Sequence, residues 1–502
     1  MDKQDVSWQD KFPYCLLTKY FIQENGITED TPYEVKEMSA RELLVPERID
    51  LMAKWLYIAA VENNMDMQGL KQLYKRHIEA FSMGTFTEPG TDTKNTIEKY
   101  FEEFEEIISG IKTEGFNADV SMVPMGRDNV ILDGAHRCAS AAYFDKKVTV
   151  IYFKDLYRDY GTDFFRKRLL DEEYLDQMVL QYCGLKENLF FACLWPAGNR
   201  ELKERAIDVI SDKCGKIVYQ REIRLTYPAM RNFMIQIYGH QAWVGTVENR
   251  HAGVDEKVRN CYGDNPMTIV LFHCDSLDKV LETKQKIRDI YRIENHSVHI
   301  TDNDEETRML ANILLNKNSL HLIKSGDLDY SGEVNALVKR VNAENAGIVD
   351  DVIVEPEGTK AIYGLAPVGG DIKVLTLAEL AERADIQKLG KSAYDLLYNP
   401  QNYLVFNGVK FFSLENAKKW EKVTKSWNER ISFQRIGYRI KFSLLNINVV
   451  QKIKGSLGRR RKRRYTEKKK FTVWAKEKII RILEKLHLLN PALKVLHFIK
   501  RQ

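Results

Sequence analysis

Residues 130–141 read Val130-Ile131-Leu132-Asp133-Gly134-Ala135-His136-Arg137-Cys138-Ala139-Ser140-Ala141. Three apolar residues end a strand, a glycine lets the chain turn tightly, and a run of small residues opens a helix. A helix that starts this way leaves backbone N–H groups unpaired at the positive end of its dipole, which is where an anion binds. His136 and Arg137 add side-chain donors at the same end. Arg137 suits bidentate phosphate contact, and His136 can donate or exchange a proton near neutral pH. The same string also has a plainer reading, with Asp133 capping the helix and Arg137 paired to a surface carboxylate.

Outward from the motif, the pattern predicts strands at 120–125 and 129–132, a helix at 135–144 and a strand at 148–153. Strand, glycine turn, helix and strand make a compact α/β unit. Upstream, apolar spacing predicts helices over 39–63, with Pro46 separating a short approach, and over 67–81 and 95–111. Residues 1–40 read as irregular. This order, with Ser121-Met122-Val123-Pro124-Met125 ahead of the motif, resembles the ParB/sulfiredoxin-like superfamily, in which strand–DGxHR–helix holds a nucleotide phosphate. The resemblance implies a nucleotide-binding domain over 1–160, with Asp133, Gly134, Ala135, His136 and Arg137 around the phosphate. Branches of that superfamily bind CTP in chromosome partition, reduce sulfinic acids or phosphorylate small molecules. Ala135 stands where the reductases carry a catalytic cysteine, and no helix-turn-helix pattern follows the motif, so the kinase branch remains. A kinase needs a base for the acceptor hydroxyl and neutralisation of phosphate charge, commonly by Mg²⁺. Val45-Pro46-Glu47-Arg48 resembles the superfamily's proline/arginine segment. Glu47 is then the candidate base and Arg48 a second phosphate contact, with Glu88 in reserve. ATP and Mg²⁺ are the implied cofactors.

A new α/β pattern begins at residue 188: strands at 189–194, 216–223, 268–272 and 297–300 alternate with helices at 201–213, 227–238, 277–291 and 305–315. Its order resembles nucleoside diphosphate kinase, which implies a ferredoxin-like domain over 186–325. His296-Ser297-Val298-His299-Ile300-Thr301-Asp302 resembles that family's phosphate-accepting segment, making His299 a catalytic candidate through its nucleophilic ring nitrogen. Ile287-Arg288-Asp289 resembles a phosphate-contacting segment, making Arg288 a ligand. Leu194-Trp195-Pro196-Ala197-Gly198 departs from the family, since Trp195 replaces a lysine expected to touch phosphate. A small α/β domain follows over 330–430, with strands expected at 352–354, 362–364 and 372–376. Its Ile362-Tyr363-Gly364-Leu365 and Gly370-Asp371-Ile372-Lys373 resemble a nucleotidyltransferase strand pair, but Lys373 replaces one of the two carboxylates that a two-metal site needs.

The 502 residues exceed what one core organises, and 44% apolar with 29% charged residues is globular composition, so the fold class is α/β and α+β multidomain. The seven cysteines show no CxxC pair or zinc-ligand spacing. No stretch reaches about 18 uninterrupted apolar residues, and the N-terminus has no basic-then-apolar leader, so the sequence points to the cytoplasm. The net charge of +5 is uneven. Residues 452–502 hold 18 Lys/Arg against three Glu, so the rest of the chain is acidic. Arg459, Arg460, Arg461, Lys462, Arg463, Arg464, Lys468, Lys469 and Lys470 precede an apolar-striped helical pattern within a basic tail over 431–502. That composition suits an anionic membrane surface; nucleic acid and docking on the acidic body are the other readings. Together these features lead to an expectation of an ATP-dependent kinase or phosphotransferase, peripheral on the inner membrane face. It would act on a small hydroxylated acceptor, a sugar or polyol, in bacterial surface-polysaccharide assembly. The alternatives are a ParB-like nucleotide-dependent DNA-binding protein and a nucleotide-sensing scaffold with inactive catalytic domains.

Overall fold

The computed structural model describes residues 8–424 except 66, 89–93, 326–327 and 370–371. The described chain is mixed α/β with three small sheets.

The first unit contains α1 (Lys19–Asn25), β1 (Glu34–Ser39), α2 (Asp50–Glu62), α3 (Met67–Phe81), α4 (Ile97–Glu114), β2 (Val123–Met125), α5 (Ala135–Tyr143) and β3 (Lys147–Tyr152). Its sheet has the order β1-β3-β2, with β1 antiparallel to β3 from Glu34↔Tyr152 to Ser39↔Lys147, and β2 parallel to β3 from Val123↔Val150 to Met125↔Tyr152. β2 and β3 are parallel and joined through α5, but the chain first turns back along β2, with the Gly126 amide donating to the Val130 carbonyl and the Leu132 amide to the Pro124 carbonyl, both at 2.8 Å, before α5 starts. Two features of this unit differ from the sequence expectation. Residues 129–132 contribute only the single bridge Ile131↔Met125. Asp128 and Asn129 just before it adopt left-handed backbone, which short polar side chains tolerate and a strand does not. The lead-in is also ordered. Thr18 caps α1 and Gly26 ends it in left-handed conformation. β1 is an edge strand exposed along most of its length, so it lacks apolar alternation.

Two helices, α6 (Thr162–Lys167) and α7 (Glu172–Leu185), lead to the second unit. It comprises β4 (Leu189–Leu194), α8 (Lys203–Lys213), β5 (Ile217–Ile223), α9 (Tyr227–Tyr238), α10 (Gly253–Cys261), β6 (Met267–His273), α11 (Leu277–Tyr291), β7 (Val298–Ile300), α12 (Asp304–Leu314) and α13 (Lys317–Lys324). Its sheet is antiparallel throughout, in the order β5-β6-β4-β7. Successive residues of β4 face opposite ways. Phe190, Ala192 and Leu194 join a core with Ile207 and Ile210 of α8 and Val280 and Ile287 of α11. Leu189, Phe191 and Cys193 join a core that continues through α9 and α7 into α2 and α3 of the first unit. The first two units thus share one continuous apolar interior.

The third unit runs α14 (Gly332–Glu344), β8 (Val352–Val354), α15 (Pro356–Ile362), β9 (Val374–Thr376), α16 (Leu377–Glu382), α17 (Ala384–Gln387), α18 (Ala393–Tyr398), β10 (Tyr403–Phe406), β11 (Val409–Phe412) and α19 (Leu414–Thr424). Its sheet order is β10-β11-β8-β9, mixed in direction. The expected strand at 362–364 is instead the end of α15 and the turn after it. Pro356 pre-sets the helical φ at the start of α15. The first half of the nucleotidyltransferase-like pair is therefore no strand, and Asp371 lies outside the described residues. Residues 403–412 form a hairpin whose turn, Asn407-Gly408, has both residues at positive φ.

α7 contacts both α2 and α12, and Leu175 is buried in the shared core. Leu175→Ala is expected to cost about 2–5 kcal/mol and to destabilise both units together. Denaturant titration followed by hydrogen exchange in β3 and β6 checks this. Two independent transitions would show that the units do not share a cooperative core.

Candidate functional site

Gly134 opens α5 at φ 78°, a conformation that costs a side-chain-bearing residue about 1 kcal/mol or more. The Asp133 carboxylate accepts from the Gly134 amide at 2.6 Å, so it closes the turn and does not cap the helix. Among the described residues, no acceptor meets the first-turn amides of Ala135, His136 and Arg137. Arg137 folds back over this turn: a Cβ on Gly134 would lie 2.9 Å from its Nη2. No described carboxylate pairs with that guanidinium. Three amides without acceptors and the Arg137 guanidinium thus share the start of α5.

Beneath them lies a buried ionic network. Arg48 is not open to a ligand, contrary to the expectation of a phosphate contact. Its Nε and Nη2 donate to the two oxygens of Asp50 at 2.9 and 3.0 Å, and its Nη1 donates to the Ile131 carbonyl at 2.5 Å. Lys54, one turn further along α2, donates to Asp50 at 2.8 Å and lies 3.1 Å from His77 Nε2. An ammonium group only donates, so His77 accepts through Nε2 and is neutral. Burial would raise the Asp50 carboxyl, but Arg48 and Lys54 hold it far below the usual range. Burial and then the Lys54 charge depress His77 well below its ordinary value. One anion between two cations leaves the network with a net positive charge.

His136 stands at the junction. Its Nε2 is 2.7 Å from the Tyr74 hydroxyl, and its ring meets Phe104 edge-on at 4.7 Å. Burial, with Lys54, Lys94 and His77 nearby, pushes its pKa well down, so the ring is neutral at pH 7 and does not exchange protons there. Glu88, the reserve base, belongs to these surroundings. It pairs with Lys94 at 2.9 Å, and its charge acts on Lys54, Tyr74 and Tyr100. Glu47 faces elsewhere. It is almost fully buried, its Oε1 accepts from Tyr157 at 3.2 Å and pairs with Lys216 of the second unit, and its backbone carbonyl accepts from Tyr160. Its charge is thereby neutralised away from solvent.

In the second unit, His299 of β7 is buried beside Tyr238, whose ring is edge-on at 5.3 Å, and Trp195, which is near-parallel at 6.4 Å. Its Nε2 lies 3.2 Å from Glu306 Oε1 without hydrogen-bond alignment. Burial raises the Glu306 carboxyl, yet contact with His299 and the Asp302 amide holds it below its ordinary value. Arg288 acts electrostatically on Tyr238 and lines an open groove of about 580 Å³ with Gln285, Arg292 and Asn295. Its Nε and the Trp195 Nε1 are buried without partners. The Arg288 charge thus reaches Tyr238, the ring that packs against His299.

Searches of protein-family models, curated proteins and solved structures with this chain return no match. Among the described residues, no group of three or more His, Cys, Asp or Glu is arranged to hold a metal ion, and no helix is long and apolar enough to cross a membrane. Arg459 through Arg464 and Lys468 through Lys470 lie outside the described residues.

Sequence reasoning missed Asp50, Lys54, Tyr74 and His77. One signal was present: Lys54 interrupts the apolar run Leu51-Met52-Ala53-Lys54-Trp55-Leu56, four residues after Asp50.

Asp50→Asn is expected to cost about 3–5 kcal/mol, because two buried cations lose their counterion; urea unfolding measures it. The pH dependence is separable. The folded pKa of His77 lies below the unfolded value of about 6.5, so its stabilisation is complete above that pH and falls by about 1.4 kcal/mol per unit below it. Asp50 loses its contribution only below about pH 4. Melting temperatures from pH 7.5 to 5 should drop in wild type and drop less steeply in His77→Gln, where His136, likewise depressed, still contributes; parallel curves would remove His77 from this account.

Proposed function

We propose that this chain is an ATP-dependent phosphotransferase whose first unit holds nucleotide phosphate at Gly134–Arg137. The observation that carries the reading is the uncapped start of α5 with the unpaired Arg137 guanidinium folded over it, above a network of net positive charge. The ParB/sulfiredoxin-like resemblance of the string 130–141 supports the same assignment, in the kinase branch. Mg²⁺ would arrive on the nucleotide phosphates and take a carboxylate from the protein, with Asp133 the candidate beside the motif; it would neutralise charge on the transferred group. The chain's own residues do the rest. The amides of residues 135–137 and Arg137 fix the phosphate, and the carboxylate of Glu88 accepts the proton of the acceptor hydroxyl. That oxygen bonds to the terminal phosphorus as the bond to the nucleotide diphosphate breaks. The acceptor class is a small hydroxylated molecule, a sugar or polyol. The basic segment 452–502 is proposed to hold the enzyme at an anionic membrane surface.

A second reading is favoured by His299, Glu306 and the unpartnered Arg288 Nε. The sheet order β5-β6-β4-β7 with helices on the outer face supports a ferredoxin-like, nucleoside-diphosphate-kinase-like unit. There, His299 would carry phosphate transiently on its ring, with Arg288 as ligand.

Incubation with γ-labelled ATP and Mg²⁺ separates the two. Arg137→Ala is expected to weaken ATP binding by about 10- to 100-fold, the loss of a charged hydrogen bond. Glu88→Gln should abolish transfer to sugars and polyols with binding retained. His299→Ala should leave that transfer intact. If only His299→Ala removes label from both protein and small molecules, the catalytic site is in the second unit.

A further inference from the structure

Tyr74 bears directly on how His136 presents itself to a ligand. It is fully buried among the rings of Tyr57, Phe101, Phe104 and His77 at 4.8 to 5.5 Å. Its hydroxyl has one partner among the described residues, His136 Nε2 at 2.7 Å. A phenol carries one proton to donate, and among the described residues the imidazole nitrogen is the one acceptor within hydrogen-bond reach. The reverse arrangement, with Nε2–H donating to the phenol oxygen, would strand the phenol proton in an apolar cage. Nε2 therefore accepts, and the neutral ring carries its proton on Nδ1. That nitrogen bonds to no described residue and is not among the buried unpaired atoms. His136 is the second residue of α5, so its side chain leaves the backbone in the same first turn as the uncapped amides and Arg137.

We propose that Tyr74 is a positioning residue that locks His136 as the Nδ1–H tautomer, making it a neutral donor to an oxygen of the phosphate bound at the start of α5. This rests on the phosphate-site reading above. Two physical consequences follow. The donor is uncharged, so His136 contributes direction, while charge comes from Arg137. The groups facing the ring reinforce neutrality: Lys54 of α2, Lys94 ahead of α4 and His77 of α3 disfavour a second proton, with Asp50 opposing them. The aromatic cage fixes the hydroxyl, and the hydroxyl fixes the ring.

The test uses the full chain with ¹⁵N-labelled histidine and two variants. In wild type the His136 ring nitrogens should show one tautomer, with Nε2 as hydrogen-bonded acceptor, from pH 6 to 8. Tyr74→Phe keeps the ring stack and removes the hydroxyl. It should give mixed tautomers and weaken Mg²⁺–ATP and inorganic phosphate binding by about 2- to 10-fold, the range for one neutral hydrogen bond. Arg137→Ala should leave the ring signals as in wild type. In a His136→Asn background, Tyr74→Phe should have no further effect on affinity, which guards against a general packing defect. Unchanged ring signals in Tyr74→Phe, or an equal loss of affinity in both backgrounds, overturns the proposal. If wild type binds neither probe, the phosphate site falls, while the ring signals still decide whether Tyr74 holds His136.

Discussion

The carboxylate of Asp50 is the point on which the first unit turns. It sits between Arg48 and Lys54, all three almost completely buried. Such a network in an apolar interior persists only if every charge keeps its partner, because desolvation is expensive and the pairing merely offsets it. Here the pairing is also used for placement. Arg48 also donates through Nη1 to the carbonyl of Ile131, 83 residues away in sequence. That bond ties the chain entering α2 to the chain entering the glycine turn. Lys54 in turn reaches His77 of α3. One carboxylate therefore sets the relative positions of α2, α3 and the segment leading into α5.

The second unit is fastened to this arrangement through the β5-β6-β4-β7 sheet. Every residue of β4 is buried, because the sheet has an apolar layer on each face. One face is closed by the unit's own helices α8 and α11; the other merges with the interior that reaches α2 and α3. Polar bonds cross the same junction. The Tyr219 hydroxyl lies 2.7 Å from Glu172 and 2.8 Å from Asp176 of α7, able to donate its proton to either, and Arg221 pairs with Asp176. A boundary drawn between the units in sequence is thus not a boundary in packing.

How much of this was legible depended on the range of the interaction. β4, α9 and α11 match their expected spans because each has a local period and a cap or turn at its ends, such as Thr226 before α9. The exposed edge strand β1 and the short α1 carry no such period. The expected strand at 129–132 failed because Asp128 and Asn129 favour a left-handed turn over pairing. In the site, the glycine turn was visible, since its chemistry lies within five residues. The roles of Glu47 and Arg48 were not. Both were read from a local string, yet the atoms that decide them, Lys216 for one and Ile131 O for the other, come from distant parts of the chain. Residues brought together by the third dimension, as Tyr74 and His136 are, leave no spacing to read.

In the proposed phosphate site, the arrangement around α5 would separate two tasks that are often merged. An anion must be attracted, which needs net charge, and it must be oriented, which needs donors with fixed directions. Charge is supplied by Arg137 at the surface and by the excess cation of the Arg48–Asp50–Lys54 network below. Direction is supplied by uncharged groups: the three first-turn amides and the ring of His136. Had His136 been protonated, it would have added repulsion to Lys54, Lys94 and Arg137 in a poorly solvated place. Burial and those same cations keep it neutral. In the proposed site, the cations that would draw an anion in are thus also what keep the histidine neutral.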